Sequence, residues 1–192
     1  MISDIFTPNE DNFVRAIKGG NLPKCQWIFE QNHEIQNNYK RKTNSNSLFG
    51  LACSYGHLPI AQWLLSVKPD IDISAGNENA FRNACTYGHL PITKWLLQIR
   101  PNLNISANNE YAFRNACSHG HLPVAQWLYQ LKPTIDISTE NNYAFRWTCA
   151  NGHLQVAQWL LQIKPDIDIS TNDEAIFKKI CYYGHLEIAQ LL

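Results

Sequence analysis

The sequence has no surplus of charge of either sign, because 16 Lys and Arg offset 16 Asp and Glu. General binders of nucleic acid or of anionic membranes carry a basic excess, so neither a nucleic-acid nor a membrane partner is expected. The one dense basic run, Lys40-Arg41-Lys42, lies in a polar stretch from Gln31 to Asn46 and reads as a solvated loop. No run of about 18 apolar residues is present, so no membrane span is expected. Met1-Ile2-Ser3-Asp4 shows neither a basic n-region nor an apolar h-region, so no signal peptide is expected. A glycine-rich phosphate loop and a G-x-S-x-G elbow are both missing. Carboxylate pairs occur only in turn-like segments such as Asp166 and Asp168.

What the sequence does have is a period. Gly-His-Leu begins at Gly56, Gly88, Gly120, Gly152 and Gly184, each 32 residues after the last. Phe49, Phe81, Phe113, Phe145 and Phe177 keep the same step, as do Cys53, Cys85, Cys117, Cys149 and Cys181, and Trp63, Trp95, Trp127 and Trp159. A fixed period of roughly 20–50 residues marks a stacked array in which each repeat buries its apolar face against its neighbours. Five of the six cysteines therefore recur once per repeat. Stacked helices lie about 8–10 Å apart, whereas bridged Cα atoms must come within about 7 Å. Reduced, intracellular cysteines fit this spacing better than a disulfide framework does.

One repeat, Ser74 to Ile105, shows how the period is built. Phe81, Ala84 and Cys85 fall at i, i+3 and i+4 of a short amphipathic helix from Ala80 to Tyr87, and Gly88 ends it. Leu90-Pro91 opens a second helix, since proline is tolerated in a first turn. Ile92, Trp95, Leu96 and Ile99 form that helix's apolar stripe. Pro101 stops it, and Asn102 to Ser106 leads through an extended turn to the next repeat. The sequon Asn104-Ile105-Ser106 stands where other repeats have Asp72 or Asp136, which makes it a turn rather than a glycosylation site.

The string Ala84-Cys85-Thr86-Tyr87-Gly88-His89-Leu90-Pro91-Ile92 is similar to the ankyrin-repeat core pattern A-A-x-x-G-H-L-x-V. Asp70-Ile71-Asp72-Ile73-Ser74 resembles the hairpin-forming segment that follows the second helix in that family. The resemblance runs from about Asn12 to Leu192 and includes a degenerate first repeat. In it Phe13, Gly20-Asn21-Leu22-Pro23 and Trp27 stand 36 residues before Phe49, Gly56 and Trp63. The sequence departs from the family pattern in three ways. Its period is 32 rather than about 33, its T-P-L-H opening is replaced by Asn79-Ala80-Phe81-Arg82, and Lys68-Pro69 or Arg100-Pro101 stands where a glycine usually ends the second helix. Ala-Gln-Trp-Leu-Leu and Lys-Pro-Asp-Ile-Asp-Ile-Ser resemble the ankyrin-repeat proteins of giant DNA viruses of amoebae. That resemblance implies an infected host cell, in its cytoplasm, or a virion.

The expected fold is all-α, an ankyrin-repeat solenoid of helix-turn-helix units joined by extended hairpin-like loops. Residues 1–46 form a degenerate N-terminal capping repeat with a long loop. Repeats two to six follow at 47–73, 74–105, 106–137, 138–169 and 170–192, the last incomplete. No metal or cofactor is expected. Each repeat offers only Cys and His four apart, as in Cys53 and His57, while a zinc site needs about four ligands around one ion. The cysteine reads as a small buried core residue, and the histidine as a residue that orients the turn by hydrogen bonds. Nor is catalysis expected, because identical residues at identical local positions do not converge as a base and nucleophile about 3 Å apart must.

A second set of charges recurs. Arg82, Arg114, Arg146 and Lys178 appear once per repeat, with Glu78, Glu110 and Glu174 four residues earlier, an order that favours i, i+4 pairing on a helix. Asn142 replaces the glutamate before Arg146.

Function is expected at positions that differ between repeats. The slots around the first helix read Ser47, Asn79, Tyr111, Tyr143, Ala175; Leu51, Asn83, Asn115, Trp147, Lys179; and Tyr55, Tyr87, His119, Asn151, Tyr183. The resemblance places them along a concave groove, with Tyr111, Tyr143 and Trp147 close together and Tyr87 and His119 deeper. Exposed aromatics beside arginine are typical of interface hot spots. The chain therefore reads as a non-enzymatic protein–protein interaction scaffold whose partner-binding residues are Tyr87, Tyr111, Arg114, His119, Tyr143, Arg146 and Trp147. The alternative for the aromatics is packing that stiffens the stack. Alternatives for the protein are a structural, self-associating virion or assembly component, or a substrate adaptor for a host ubiquitin ligase, although no F-box-like segment is evident. In the last repeat Ile188, Leu191 and Leu192 are expected to be exposed, a surface suited to self-association or to a continuing array.

Overall fold

The computed structural model describes residues 7–167 and 173–192, and it shows thirteen helices and no strand among them. Met1–Asp4, Asp168 and the side chains of Lys42, Glu174 and Ala175 lie outside the described residues. Two compact bodies are present, Met1–Ala84 with Pro91–Leu103, and Cys85–Leu90 with Asn104–Leu192.

In the first body α1 (Glu10–Lys18) and α2 (Leu22–Gln31) form repeat one, α3 (His33–Tyr39) follows, and α4 (Lys42–Ser54) and α5 (Leu58–Val67) form repeat two. Repeat three contributes most of α6 (Ala75–Thr86) and α7 (Leu90–Ile99). In the second body α8 (Ala107–Ser118) and α9 (Leu122–Leu131) form repeat four, and α10 (Thr139–Ala150) and α11 (Leu154–Ile163) form repeat five. Repeat six is α12 (Asp173–Tyr182) with α13 (Leu186–Leu191). First helices stack on first helices, as α1 on α4 and α8 on α10 on α12. Second helices do likewise, as α2 on α5 and α11 on α13.

The period places the core. Phe13, Phe49, Phe81, Phe113 and Phe145 are buried, as are Cys25, Cys53, Cys85, Cys117 and Cys149. Burial pushes the Cys25 thiol up to about 12 and raises Cys53, Cys85 and Cys117 as well. These thiols therefore pack as small apolar groups. Three local expectations are corrected. The stretch read as a solvated loop carries α3, which Asn32 caps by accepting from the Glu34 and Ile35 N–H groups. Tyr39 is buried there, its Oη donating to the Leu64 carbonyl at 2.8 Å. Ile99 is exposed at the end of its helix, whereas Ile188 is only 2% exposed because α13 packs on α11.

The Gly-His pair is an inter-repeat device. Each first helix ends with a glycine at positive φ, +78° at Gly120 and +82° at Gly152. The histidine that follows sends its backbone N–H five residues back, as His121 to Ala116 at 2.8 Å and His153 to Thr148 at 3.0 Å, the Schellman closure of a helix. The imidazole then lies against the glycine of the preceding repeat. A Cβ on Gly120 would stand 2.5 Å from His153 Nδ1, and one on Gly20 2.6 Å from His57 Cε1. His57 Nε2 donates to the Lys18 carbonyl at 2.9 Å. His121 and His153 bond in the same way to the carbonyls of Thr86 and Ser118. In all three pairs that carbonyl lies two residues before the glycine.

Alanine at Gly120 therefore meets two penalties, about 1–2 kcal/mol for a left-handed conformation and about 1–3 kcal/mol for overpacking. At Gly184, where a Cβ meets nothing within 4 Å, only the first applies. Urea denaturation should show Gly120→Ala to be the more destabilising of the two, and equal losses would contradict the contact. The same packing sets a pH dependence. Burial, and then the neighbouring His119, hold His121 and His153 below the usual 6.5. These rings contribute fully above the unfolded-state value of about 6.5. Below it the unfolded chain binds protons first, so stability is lost as pH falls through the lower folded-state values. The urea midpoint should be lower at about pH 5.5 than at about pH 7.5, with a smaller difference in His121→Asn.

Candidate functional site

The recurrent arginines act on a left-handed turn. Gly76-Asn77-Glu78, Asn108-Asn109-Glu110 and Glu140-Asn141-Asn142 each hold three consecutive residues at φ between 56° and 64°. The non-glycine members cost about 1–2 kcal/mol each, asparagine tolerating the conformation best. The turn directs its carbonyls at the arginine that follows. Arg114 donates from Nε to the Asn109 carbonyl at 2.6 Å and from Nη2 to the Asn108 carbonyl at 3.1 Å. Arg82 does the same to Asn77 at 2.7 Å and Gly76 at 3.0 Å.

The expected Glu–Arg helix pair is thereby corrected in repeat four, since a glutamate in a left-handed turn does not project along the helix. Glu110 is instead bound by Lys132 Nζ at 3.0 Å, and Lys132 also donates to Ser106 Oγ at 2.5 Å. The Lys-Pro that ends α9 thus ties that helix back to the start of its own repeat. In repeat five, where Asn142 fills the buried slot of the glutamate, Lys164 pairs with Asp166 at 3.4 Å. The loops before these turns use a common bond. Asp72, Asn104 and Asp136 accept from the Ser74, Ser106 and Ser138 N–H groups at 3.2, 3.1 and 3.0 Å. Asn104 is a turn residue of the same kind as the two aspartates.

From this scaffold a line of cations and rings crosses repeats four to six. The Arg114 guanidinium, 8% exposed, lies 4.8 Å from the centroid of Tyr143. Tyr143 and Trp147 pack with centroids 5.9 Å apart. Lys179 Nζ sits 4.3 Å over Trp147 and 5.9 Å from Tyr183, and donates to Asn151 Oδ1 at 3.3 Å. Asn151 in turn donates to the Ser118 carbonyl at 2.8 Å. Tyr111, Tyr143, Arg146 and Trp147 are half-buried, and Asn115 Nδ2 donates to the Tyr111 carbonyl at 3.0 Å. Arg146 has one long bond, Nη1 to the Asn141 carbonyl at 3.4 Å, while its buried Nε has no hydrogen-bond partner.

Tyr87 and His119, expected deep in a groove, are exposed, Tyr87 by 55%. His119 Nδ1 donates to the Asn115 carbonyl at 2.9 Å, and its ring stacks on His121 at 6.4 Å. Tyr183 stacks on His185 at 6.1 Å. The structure therefore joins Arg114, Tyr143 and Trp147 to Lys179 and Tyr183, two residues absent from the sequence-derived site. Their signal was the period itself, since Lys179 stands 32 residues after Trp147. The Cys and His diverge, the thiols of Cys53, Cys85, Cys117 and Cys149 being buried in the core while the imidazoles of His57, His121 and His153 face the neighbouring turn. Among the described residues no group of three His, Cys, Asp or Glu is placed to hold a metal.

Arg114→Ala should cost about 2–3 kcal/mol, the worth of charge-assisted hydrogen bonds from a buried guanidinium. Arg146→Ala, losing one 3.4 Å bond, should cost less in urea denaturation.

The comparisons agree with this architecture. A profile described as ankyrin repeats (3 copies) matches residues 13–109 and 81–173. An ankyrin repeat family protein from Legionella pneumophila shares the fold, with a TM-score of 0.54 and 19% identity over 93% of this chain and 67% of that one. No curated protein matches the chain. No helix among the described residues is long and apolar enough to cross a membrane. With matched segments that together span 13–173, the chain belongs to the ankyrin-repeat family.

Proposed function

We propose that the chain binds a partner protein through the second body, at a surface made by Tyr87, Tyr111, His119, Tyr143 and Trp147. Ankyrin repeats are in general protein-interaction repeats, and this surface is where the chain breaks its own period. The observation that carries the reading is the row of rings itself. Tyr87, His119 and Tyr183 are exposed at the turns, and Tyr143 and Trp147 are half-buried with their rings 5.9 Å apart. Aromatic side chains supply large contact area at low entropic cost, and interfaces are enriched in Tyr, Trp and Arg. Arg114 and Arg146 belong to the surface as supports, since Arg114 spends two donors on its own turn. No metal, cofactor or chemical step enters this function. The resemblance of the repeat strings to viral ankyrin proteins supports a host or viral protein as the partner, met inside an infected cell.

A photo-crosslinking residue at position 87 identifies the partner from cell lysate, and titration with the purified partner then measures affinity. Tyr87→Ala and Trp147→Ala should each weaken binding about tenfold or more, the loss expected of a hot-spot ring. Tyr87→Ala should leave the urea midpoint unchanged. Wild-type affinity in both variants would overturn the proposal, and lost stability alone in Trp147→Ala would assign that ring to packing.

A further inference from the structure

Four side chains join the first helices of repeats four and five. Arg114 lies over the Tyr143 ring at 4.8 Å, and Asn109 Nδ2 donates to Glu140 Oε1 at 2.8 Å. Two periods earlier, between α4 and α6, each of these positions carries a smaller residue. Gly50 stands for Arg114, Asn79 for Tyr143, Ser45 for Asn109 and Gly76 for Glu140. The space they leave is a cavity of about 170 Å³, lined by Asn46, Phe49, Gly50, Ile73, Gly76 and Asn79 among others. It lies within the first body between repeats two and three, which have repeat one before them and repeat four after them in the sequence.

Packing does not account for this gap. Gly50 lies inside α4, where glycine is disfavoured relative to alanine, yet a Cβ there would meet only Asn79 Nδ2, at 3.9 Å. The amides on the cavity wall also have hydrogen-bonding capacity to spare. Asn46 Oδ1 accepts from the Asp72 N–H at 3.1 Å, which fixes that amide and leaves its Nδ2 to donate elsewhere. Neither Asn46 Nδ2 nor the Asn79 amide has a partner among the described residues.

These features select the occupant. An engineered protein cavity of about 150 Å³ accepts a benzene molecule, so the space fits one aromatic ring, the group that Tyr143 provides between repeats four and five. A phenol hydroxyl needs a hydrogen-bond partner when buried, and the two amides offer one. A guanidinium fits less well. The carbonyls that receive Arg114 come from a left-handed turn, whereas α4 is helical through positions 44 and 45 and has no such turn. Asp72, a charged residue of the lining, already accepts from the Ser74 N–H at 3.2 Å. We propose that the cavity is the socket for one tyrosine side chain of a partner protein, which supplies between repeats two and three the ring that the chain lacks there. The site shares no residue with the surface proposed above, so either reading can fail without the other.

Titration of the isotope-labelled chain with N-acetyltyrosine amide, followed by two-dimensional NMR, tests it. The backbone amides of Gly50 and Gly76 and the side-chain amides of Asn46 and Asn79 should shift saturably in the millimolar range, as a ligand of this size binds. N-acetylphenylalanine amide should bind several-fold more weakly, because it leaves the two amides unpaired. Asn79→Ala keeps the cavity and removes one amide, so it should narrow that preference for tyrosine. Asn79→Tyr gives repeat three the ring of repeats four and five, and it should weaken binding about tenfold or more. Circular dichroism and the urea midpoint of each variant separate a filled cavity from a lost fold. Four results would each overturn the proposal: no saturable shift at these residues, equal binding of the two ring compounds, tighter binding of N-acetylarginine amide, or undiminished binding in folded Asn79→Tyr.

Discussion

An imidazole resting where a side chain is missing holds successive repeats together. The glycine that ends a first helix adopts a left-handed conformation, and its lack of a Cβ opens the space that the histidine of the next repeat fills. That histidine closes its own helix with its backbone N–H and reaches its neighbour with its ring. One residue thus serves a local turn and a long-range contact at once. Partial burial of the ring disfavours its charged form, which links the packing of the stack to the protonation of His121 and His153.

The left-handed turn is the second constraint, and it is costly. Three residues in a row leave the right-handed region, and the structure recovers the cost by giving the exposed carbonyls to one guanidinium fork. Arginine is suited to this task because its donors are planar and fixed, so two carbonyls are met without further ordering. The same fork then lies over the Tyr143 ring, 4.8 Å from its centroid. Backbone strain, a buried cation and an aromatic ring are in this way parts of one arrangement, and it runs on through Trp147 to Lys179.

Much of this was legible in the sequence because the period repeats each clue. Helix ends, the glycine turns, the core phenylalanines and the unreactive cysteines follow from spacing alone. The misreadings have physical causes. Glu110 and Arg114 stand four apart, which is the signature of a helix pair, but spacing cannot show that the glutamate sits at positive φ, where Lys132 reaches it instead. The stretch from Gln31 to Asn46 is polar, yet the two apolar residues Ile35 and Tyr39, four apart, are enough to anchor α3. Ile188 looked exposed in a terminal helix, but α11 covers it. The exposure of Tyr87 and His119 at the turns was not legible, because the period fixes a slot without fixing how far its side chain stands out.

The pairing of Gly with His has a consequence for how such a protein changes over generations. Each repeat carries the gap its successor needs and the ring its predecessor needs, so every internal copy is self-compatible with any other. Unequal recombination that inserts or deletes a whole 32-residue segment leaves every junction with a matched gap and ring. A point substitution at either residue spoils a junction that two repeats share. Array length is therefore free to drift while the two residues at each junction are not.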